Sequence, residues 1–270
     1  MDEMNQKNLP AQEDCNIRMK DLASANEYLY QVLDIGQYML HSGGEISRVE
    51  DSIQRMCLAL GAERADVFTI TSCIHVTIYA HRFGAVTQIR RVKGTEHDLH
   101  RLEMLNALSR RICAEKLSME EIQKSVEMIH SEKQYGLGAQ LLIYALVSSS
   151  FALFFGGSLG DAMASGVVGV LLKYLDNMIR KTEANGFLSA LICSCLGGLL
   201  ATLAVRIGFG DSLEMISIGN IMLLIPGIAL TNSLRDMFSG NPMSGLLRFL
   251  EAVILAMVIA LGFALVASMV

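Results

Sequence analysis

The residues of this chain that could do chemistry in an unexpected place lie between Leu224 and Ala252. Two membrane-length apolar runs flank this stretch, yet it holds Pro226-Gly227, the cluster Thr231-Asn232-Ser233, the adjacent Arg235-Asp236 and, farther on, Arg248 and Glu251. A proline at membrane depth removes an amide donor and frees the carbonyl one turn back, and irregular backbone survives there only where protein buries it or it lines a cavity. The chemistry on offer is recognition of a small polar solute. The break at Pro226-Gly227 presents backbone groups, Thr231, Asn232 and the upstream Asn220 offer hydrogen bonds, and the guanidinium of Arg235 or Arg248 can hold a carboxylate. Asp161, Asp236 and Glu251 are candidates for a coupling or gating charge, because carboxylates inside membranes mark proton and ion pathways. The plainer alternative is a kinked span followed by a short cytoplasmic turn whose charges are solvated.

The elements that must position these residues follow from the distribution of charge. Residues 1–136 carry 16 Lys/Arg and 20 Asp/Glu, whereas residues 137–270 carry 6 and 7, so the first half reads as soluble and the second as membrane. Apolar runs at 137–155, 184–205, 215–234 and 252–270 are each long enough to span. A weaker fifth, 158–178, holds Asp161, Lys173 and Asp176; Lys173 is expected to snorkel to one interface while Asp161 sits near the other. With the N-terminus in the cytoplasm, five spans put Lys173, Arg180, Lys181, Arg235 and Arg248 at the inner face and Arg206 alone at the outer one, as the positive-inside rule requires. Gly156/Gly160, Ser165/Gly169 and Gly197-Gly198 are expected to allow close helix packing.

The first half divides into a tail (1–22) and an α+β domain (23–132), ahead of an all-α transmembrane bundle (133–270). Tyr28, Val32, Ile35 and Met39 recur at helical spacing and stop at Gly43-Gly44. Ser47 and Glu50 read as a capping box for a second helix with the stripe Val49, Ile53, Met56, Cys57, Leu60, ending at Gly61. Three strands follow, 65–72, 75–80 and 85–92, with Arg82-Phe83-Gly84 as the turn between the last two. Two more helices are signalled by caps at Thr95/Asp98 and Ser118/Glu121 and by the stripes Leu99-Leu102-Leu105 and Ile122-Val126-Ile129. The order is α-α-β-β-β-α-α.

Other chemistries find little support in the residues. His41, Ser42, Ser47, His75 and His81 form no Gly-x-Ser-x-Gly nucleophile elbow, and Cys73-x-His75 has no second ligand pair at a metal-site spacing. The six cysteines (15, 57, 73, 113, 193, 195) read as reduced small side chains, and neither metal nor cofactor is expected. A net charge of −5 without a basic stripe excludes nucleic acid as a partner. The acidic start Met1-Asp2-Glu3-Met4-Asn5 lacks the basic, then apolar, pattern of a signal peptide, which keeps the first half cytoplasmic. No Gly-x4-Gly-Lys-Ser/Thr loop is present, so transport would draw on a gradient.

The run Pro226-Gly227, Thr231-Asn232-Ser233-Leu234-Arg235-Asp236, Gly240, Gly245, Arg248, Glu251-Ala252 resembles the corresponding stretch of the threonine/serine exporter family of bacterial inner-membrane transporters. A second match upstream comprises Gly43, Gly44, Glu45, Arg48, Val49, Glu50 and Asp51, followed by Asp98-Leu99, Leu102, Asn106 and Leu108-Ser109-Arg110. The resemblance implies a secondary transporter exporting threonine, serine or a succinate-like dicarboxylate, and no catalysis. A chain of this size with five spans resembles the larger subunit of the family's split form, which implies a second, smaller membrane subunit or a closed oligomer in the bilayer. The competing reading is a membrane-anchored cytoplasmic enzyme or sensor acting through residues 25–132, for which five spans are more than an anchor needs.

Overall fold

Asp21 opens the first helix of the computed structural model, which describes residues 18–94, 96–132, 135–180 and 185–269. Its carboxylate accepts the Ser24 amide at 2.8 Å and the Ser24 hydroxyl accepts the Asp21 amide at 3.1 Å, a reciprocal cap. Helix α1 (Leu22–His41) then buries Tyr28, Val32, Ile35 and Met39, as their spacing predicts. It stops where Gly43 takes φ +90°, and Gly44 lets the chain fold back closely, since a Cβ there would lie 2.8 Å from the Met39 carbonyl oxygen. Residues 1–17 of the expected tail, with Cys15, the expected cap Thr95 and Lys181 lie outside the described residues.

Helix α2 (Ile46–Leu60) buries the predicted stripe Val49, Ile53, Met56, Cys57, Leu60 and ends at Gly61, φ +118°. Its start corrects the sequence reading. Glu45 is the N-cap residue, without a side-chain cap hydrogen bond, so Ser47 lies inside the first turn. Glu50 has another use, its carboxylate accepting the Thr69 amide at 2.6 Å and tying α2 to the sheet.

Strands β1 (Arg64–Ile70), β2 (Cys73–Ala80) and β3 (Gly84–Arg91) form an antiparallel meander in the order β1-β2-β3. Ile74, Val76 and Ile78 of β2 are buried while alternate residues are not, the mark of a sheet with one covered face. The same face of β3 carries Gln88 and Arg90. Arg90 makes a 2.7 Å ion pair with Asp34 of α1 and stacks 4.3 Å from the Tyr30 ring centroid. Helix α3 (Leu99–Glu115) begins at Asp98, whose carboxylate accepts the Arg101 amide. The expected stripe on α3 is displaced: Leu105, Leu108 and Ile112 are buried, whereas Leu99, in the open first turn, is 57% exposed. Helix α4 (Met119–Ser131) has the predicted Ser118/Glu121 box and buries Ile122, Val126 and Ile129. These elements belong to one compact unit, Met1–Ser131.

The second unit, Glu132–Val270, is entirely helical among its described residues: α5 (Leu137–Phe154), α6 (Leu159–Arg180), α7 (Gly186–Arg206), α8 (Leu213–Leu224), α9 (Gly227–Phe238) and α10 (Pro242–Ala267). Helices α5, α6, α7 and α10 are long and apolar enough to cross a membrane, and α8 with α9 supplies a fifth span if the pair, bent by 51°, is one broken span. Gly197 and Gly198 of α7 do allow close packing, their Cβ positions falling 3.1 and 3.2 Å from Phe263 and Val266 of α10. Gly156 instead ends α5 at φ +99° with nothing within 4 Å of its Cβ position.

Two expectations fail here. The last span starts at Pro242, not residue 252, so Arg248 and Glu251 are helical residues of α10. Proline suits the first helical position, where its missing N–H would have had no partner. Lys173 does not reach outward: its side chain is 13% exposed, with its ammonium 3.4 Å from Asp176 and 5.0 Å from the Tyr144 ring centroid.

Candidate functional site

The break between α8 and α9 follows from two residues. Pro226 has no amide to continue α8 and forces the preceding Ile225 out of helical conformation, to φ −60°, ψ 129°. The chain resumes as α9 when Gly227 donates to the Ile225 carbonyl at 2.9 Å and Leu230 to the Pro226 carbonyl at 3.0 Å. Along α9, Thr231 and Arg235 are exposed, Asn232 is half-buried, and Ser233 and Asp236 are buried. The Thr231 and Ser233 hydroxyls bond back to the carbonyls of Gly227 and Leu230, at 2.9 and 2.7 Å.

Helix α9 turns through Ser239–Asn241 directly into α10, and the two cross closely at Gly245, where a Cβ would lie 2.7 Å from both the Ser233 carbonyl oxygen and the Met237 amide nitrogen. One turn from that crossing, Arg248 Nη1 donates to Asp236 Oδ2 at 3.0 Å. The Asp236 side chain is wholly buried and that of Arg248 is 10% exposed. Glu251, three residues on, is exposed.

Asn220 belongs to a different cluster. Its amide donates to the Ile216 carbonyl (2.8 Å) and to Ser165 Oγ (3.2 Å), and its oxygen accepts from Ser148 Oγ (3.0 Å), while the two serine hydroxyls lie 2.6 Å apart. This buried cluster pins α8 to α5 and α6 on the near side of the break. The sequence reading missed Ser148 and saw Ser165 only as a small residue; the signal was present in a serine run, 148–150, inside an apolar helix. Asp161 is a third, separate feature. Its carboxylate accepts the amides of Ser158 (2.9 Å), Asp211 and Ser212 (both 2.8 Å), capping α6 and anchoring the loop before α8.

In the first unit the upstream motif forms a helix junction. Gly43 and Gly44 lie against His97, Glu96 and Leu102, so the two parts of the motif meet in space. Glu45 stands at the N-cap, Glu50 holds Thr69, Asp51 pairs with Arg55 at 2.8 Å, and Arg48 is exposed. Asp98 caps α3, and Asn106 bonds back to the Leu102 carbonyl. A separate open groove of about 510 Å³ is lined by Asn26, Glu27, Tyr30, Gln31, Gln88, Met119 and Gln123, and none of the motif residues lines it. Among the described residues no group of His, Cys, Asp and Glu could hold a metal ion.

A bent helix pair among helices apolar enough to cross a membrane, with a charged pair buried where the end of α9 meets α10, fits a multi-pass membrane protein. The family model for the threonine/serine exporters, ThrE, matches residues 31–270, and the chain belongs to that family. It is 24% identical over 231 residues to the "Threonine/serine exporter" of Corynebacterium glutamicum, a match covering 82% of this chain and 46% of that protein. It is 20% identical over 236 residues to the "Probable succinate transporter subunit YjjP" of Klebsiella aerogenes, covering 86% of this chain and 90% of that one. The chain thus spans less than half the length of the Corynebacterium relative. No solved structure matches it. The family is one of exporters and not of enzymes.

Proposed function

We propose that this chain is the larger subunit of a two-subunit secondary transporter that exports a small polar carboxylate, threonine or serine or a succinate-like dicarboxylate, across the bacterial inner membrane. The observations that carry this reading are the break at Pro226-Gly227, which opens α9, and the buried Arg248–Asp236 pair, which joins the far end of α9 to α10. Irregular backbone and buried charge in an apolar bundle are the marks of a solute pathway. In this reading Pro226, Gly227, Thr231 and Asn232 line the pathway, Arg235 meets an approaching carboxylate and Arg248 holds it. Asn220 keeps α8 fixed while α9 moves. Asp236, Glu251 and Asp161 are the coupling or gating candidates, of which Asp161 would break three backbone contacts on leaving its place. The first unit is cytoplasmic and gates or assembles the pathway, with Gly44, Glu45, Arg48, Glu50 and Asp51 shaping the junction through which it does so.

The match along nearly all of a relative named as a transporter subunit supports the proposed partner. So does the exposure of Thr231, Arg235 and Glu251 on helices that would otherwise face lipid. Efflux of labelled threonine and succinate from cells carrying this chain, with and without the smaller membrane subunit, tests the proposal. Efflux is expected only with both subunits. Full efflux from the purified monomer in liposomes would defeat the half-transporter reading.

A further inference from the structure

Three charged side chains are buried among the described residues of the second unit: Asp161, Asp236 and Arg248. Asp161 is satisfied by backbone amides. Asp236 and Arg248 instead meet each other, from two helices joined only by Ser239–Asn241. A buried ion pair is weak evidence for stability, because apolar residues of the same volume would serve the fold as well or better. What the pair does provide is a guanidinium already engaged with a carboxylate, and a carboxylate already engaged with a cation.

We infer that the Arg248–Asp236 pair is an internal stand-in for substrate: a zwitterionic α-amino acid opens it and takes its place, carboxylate on Arg248 and ammonium on Asp236. This rests on the exporter reading above and selects between the two substrate classes that reading allows. A zwitterion inserted between the two side chains leaves every charge paired. A dicarboxylate would set two further negative charges beside Asp236 and bring no cation to it, and like charges in a desolvated site oppose binding. The movement required is a separation of α9 from α10, and α9 is released from α8 by the break at Pro226-Gly227, whereas α8 is held by Asn220, Ser148 and Ser165. The same logic assigns specificity to Asp236. Without its charge the ammonium loses its partner, and a substrate lacking the amine becomes the better fit.

The test uses vesicles from cells carrying the chain together with the smaller subunit, loaded with labelled L-threonine, succinate or 3-hydroxybutyrate, the last a hydroxy acid without the amine. Wild type is expected to move threonine and not succinate. Asp236→Asn is expected to lose about 10- to 100-fold in apparent affinity for threonine, the scale of one charge-assisted hydrogen bond, and to gain movement of 3-hydroxybutyrate. Asp236→Glu, which keeps the charge, guards against a folding defect and is expected to retain preference for threonine over 3-hydroxybutyrate. Succinate moved as well as threonine by wild type, or threonine affinity unchanged in Asp236→Asn, overturns the inference and leaves the exporter reading standing. If wild type moves none of the three probes, the exporter reading fails and the inference with it.

Discussion

Glu50 in the first unit and Asp236 in the second are both carboxylates with a partner at 2.6 and 3.0 Å, yet the contacts differ in kind. Glu50 is half-buried and accepts a strand amide that needs some acceptor if β1 is to stay joined to α2. Asp236 is wholly buried and accepts from a guanidinium where two apolar side chains would pack without desolvating any charge. The polar motif of the first unit completes a fold. That of the second sets a charge pair where apolar side chains would serve the fold as well, and in the proposal above its task is the substrate.

The largest expected effect breaks the pair. Asp236→Ala or Arg248→Ala strands a buried charge and is expected to cost about 3–5 kcal/mol, read as lower membrane abundance and a lower unfolding temperature. Asp236→Leu combined with Arg248→Met is expected to recover most of that stability without recovering export. A stable double variant that still exports would remove the contrast between the two units. In the first unit, Gly44→Ala presses a methyl against the Met39 carbonyl and Leu102, and Glu50→Ala leaves the Thr69 amide without this acceptor. Each is expected to cost about 1–3 kcal/mol while substrate preference, measured as the threonine-to-succinate efflux ratio, stays unchanged. A shifted ratio would show that this junction takes part in selection.

Smaller effects sharpen the comparison within the first unit. Asp98→Ala removes a true cap and is expected to cost about 1 kcal/mol, whereas Ser47→Ala, inside the first turn of α2, should stay within about 0.5 kcal/mol; chemical denaturation of the paired variants checks the order. Burial pushes the Cys57 thiol up to about 12, so at neutral pH it is protonated and should resist alkylation until the unit unfolds. Labelling of Cys57 in the native protein at the rate of an exposed thiol would contradict the packing described.

Much of this architecture is written locally in the chain. The stripes through Tyr28 on α1, Ile53 on α2 and Ile122 on α4 each follow one helical face, Gly43 and Gly61 mark left-handed stops, and Pro226 announces the break. What was not legible depends on partners distant in sequence. Arg248 and Glu251 interrupt the apolar run, yet α10 includes both, and the Arg248 charge is met by Asp236, twelve residues earlier and across a turn. The clue lay in Asn241-Pro242, a proline fitted to a helix start. The Ser148, Ser165 and Asn220 cluster joins residues 17 and 72 positions apart, and inward-facing Arg90 is tolerable on β3 only because Asp34 and Tyr30 receive it. The Ser47 and Glu50 spacing fitted a cap but could not say which residue begins the helix.

On this account the guanidinium groups of α9 and α10 handle a substrate carboxylate, beyond marking a membrane face. A lysine satisfies charge and topology equally well but cannot reproduce a planar two-point contact with a carboxylate. The direct measurement is threonine efflux at matched membrane abundance for Arg248→Lys and Arg235→Lys, with Lys173→Arg, whose charge stays beside Asp176, as the control. Loss of efflux in Arg248→Lys, a smaller loss in Arg235→Lys and normal efflux in the control are predicted. Wild-type efflux from both lysine variants would contradict the account.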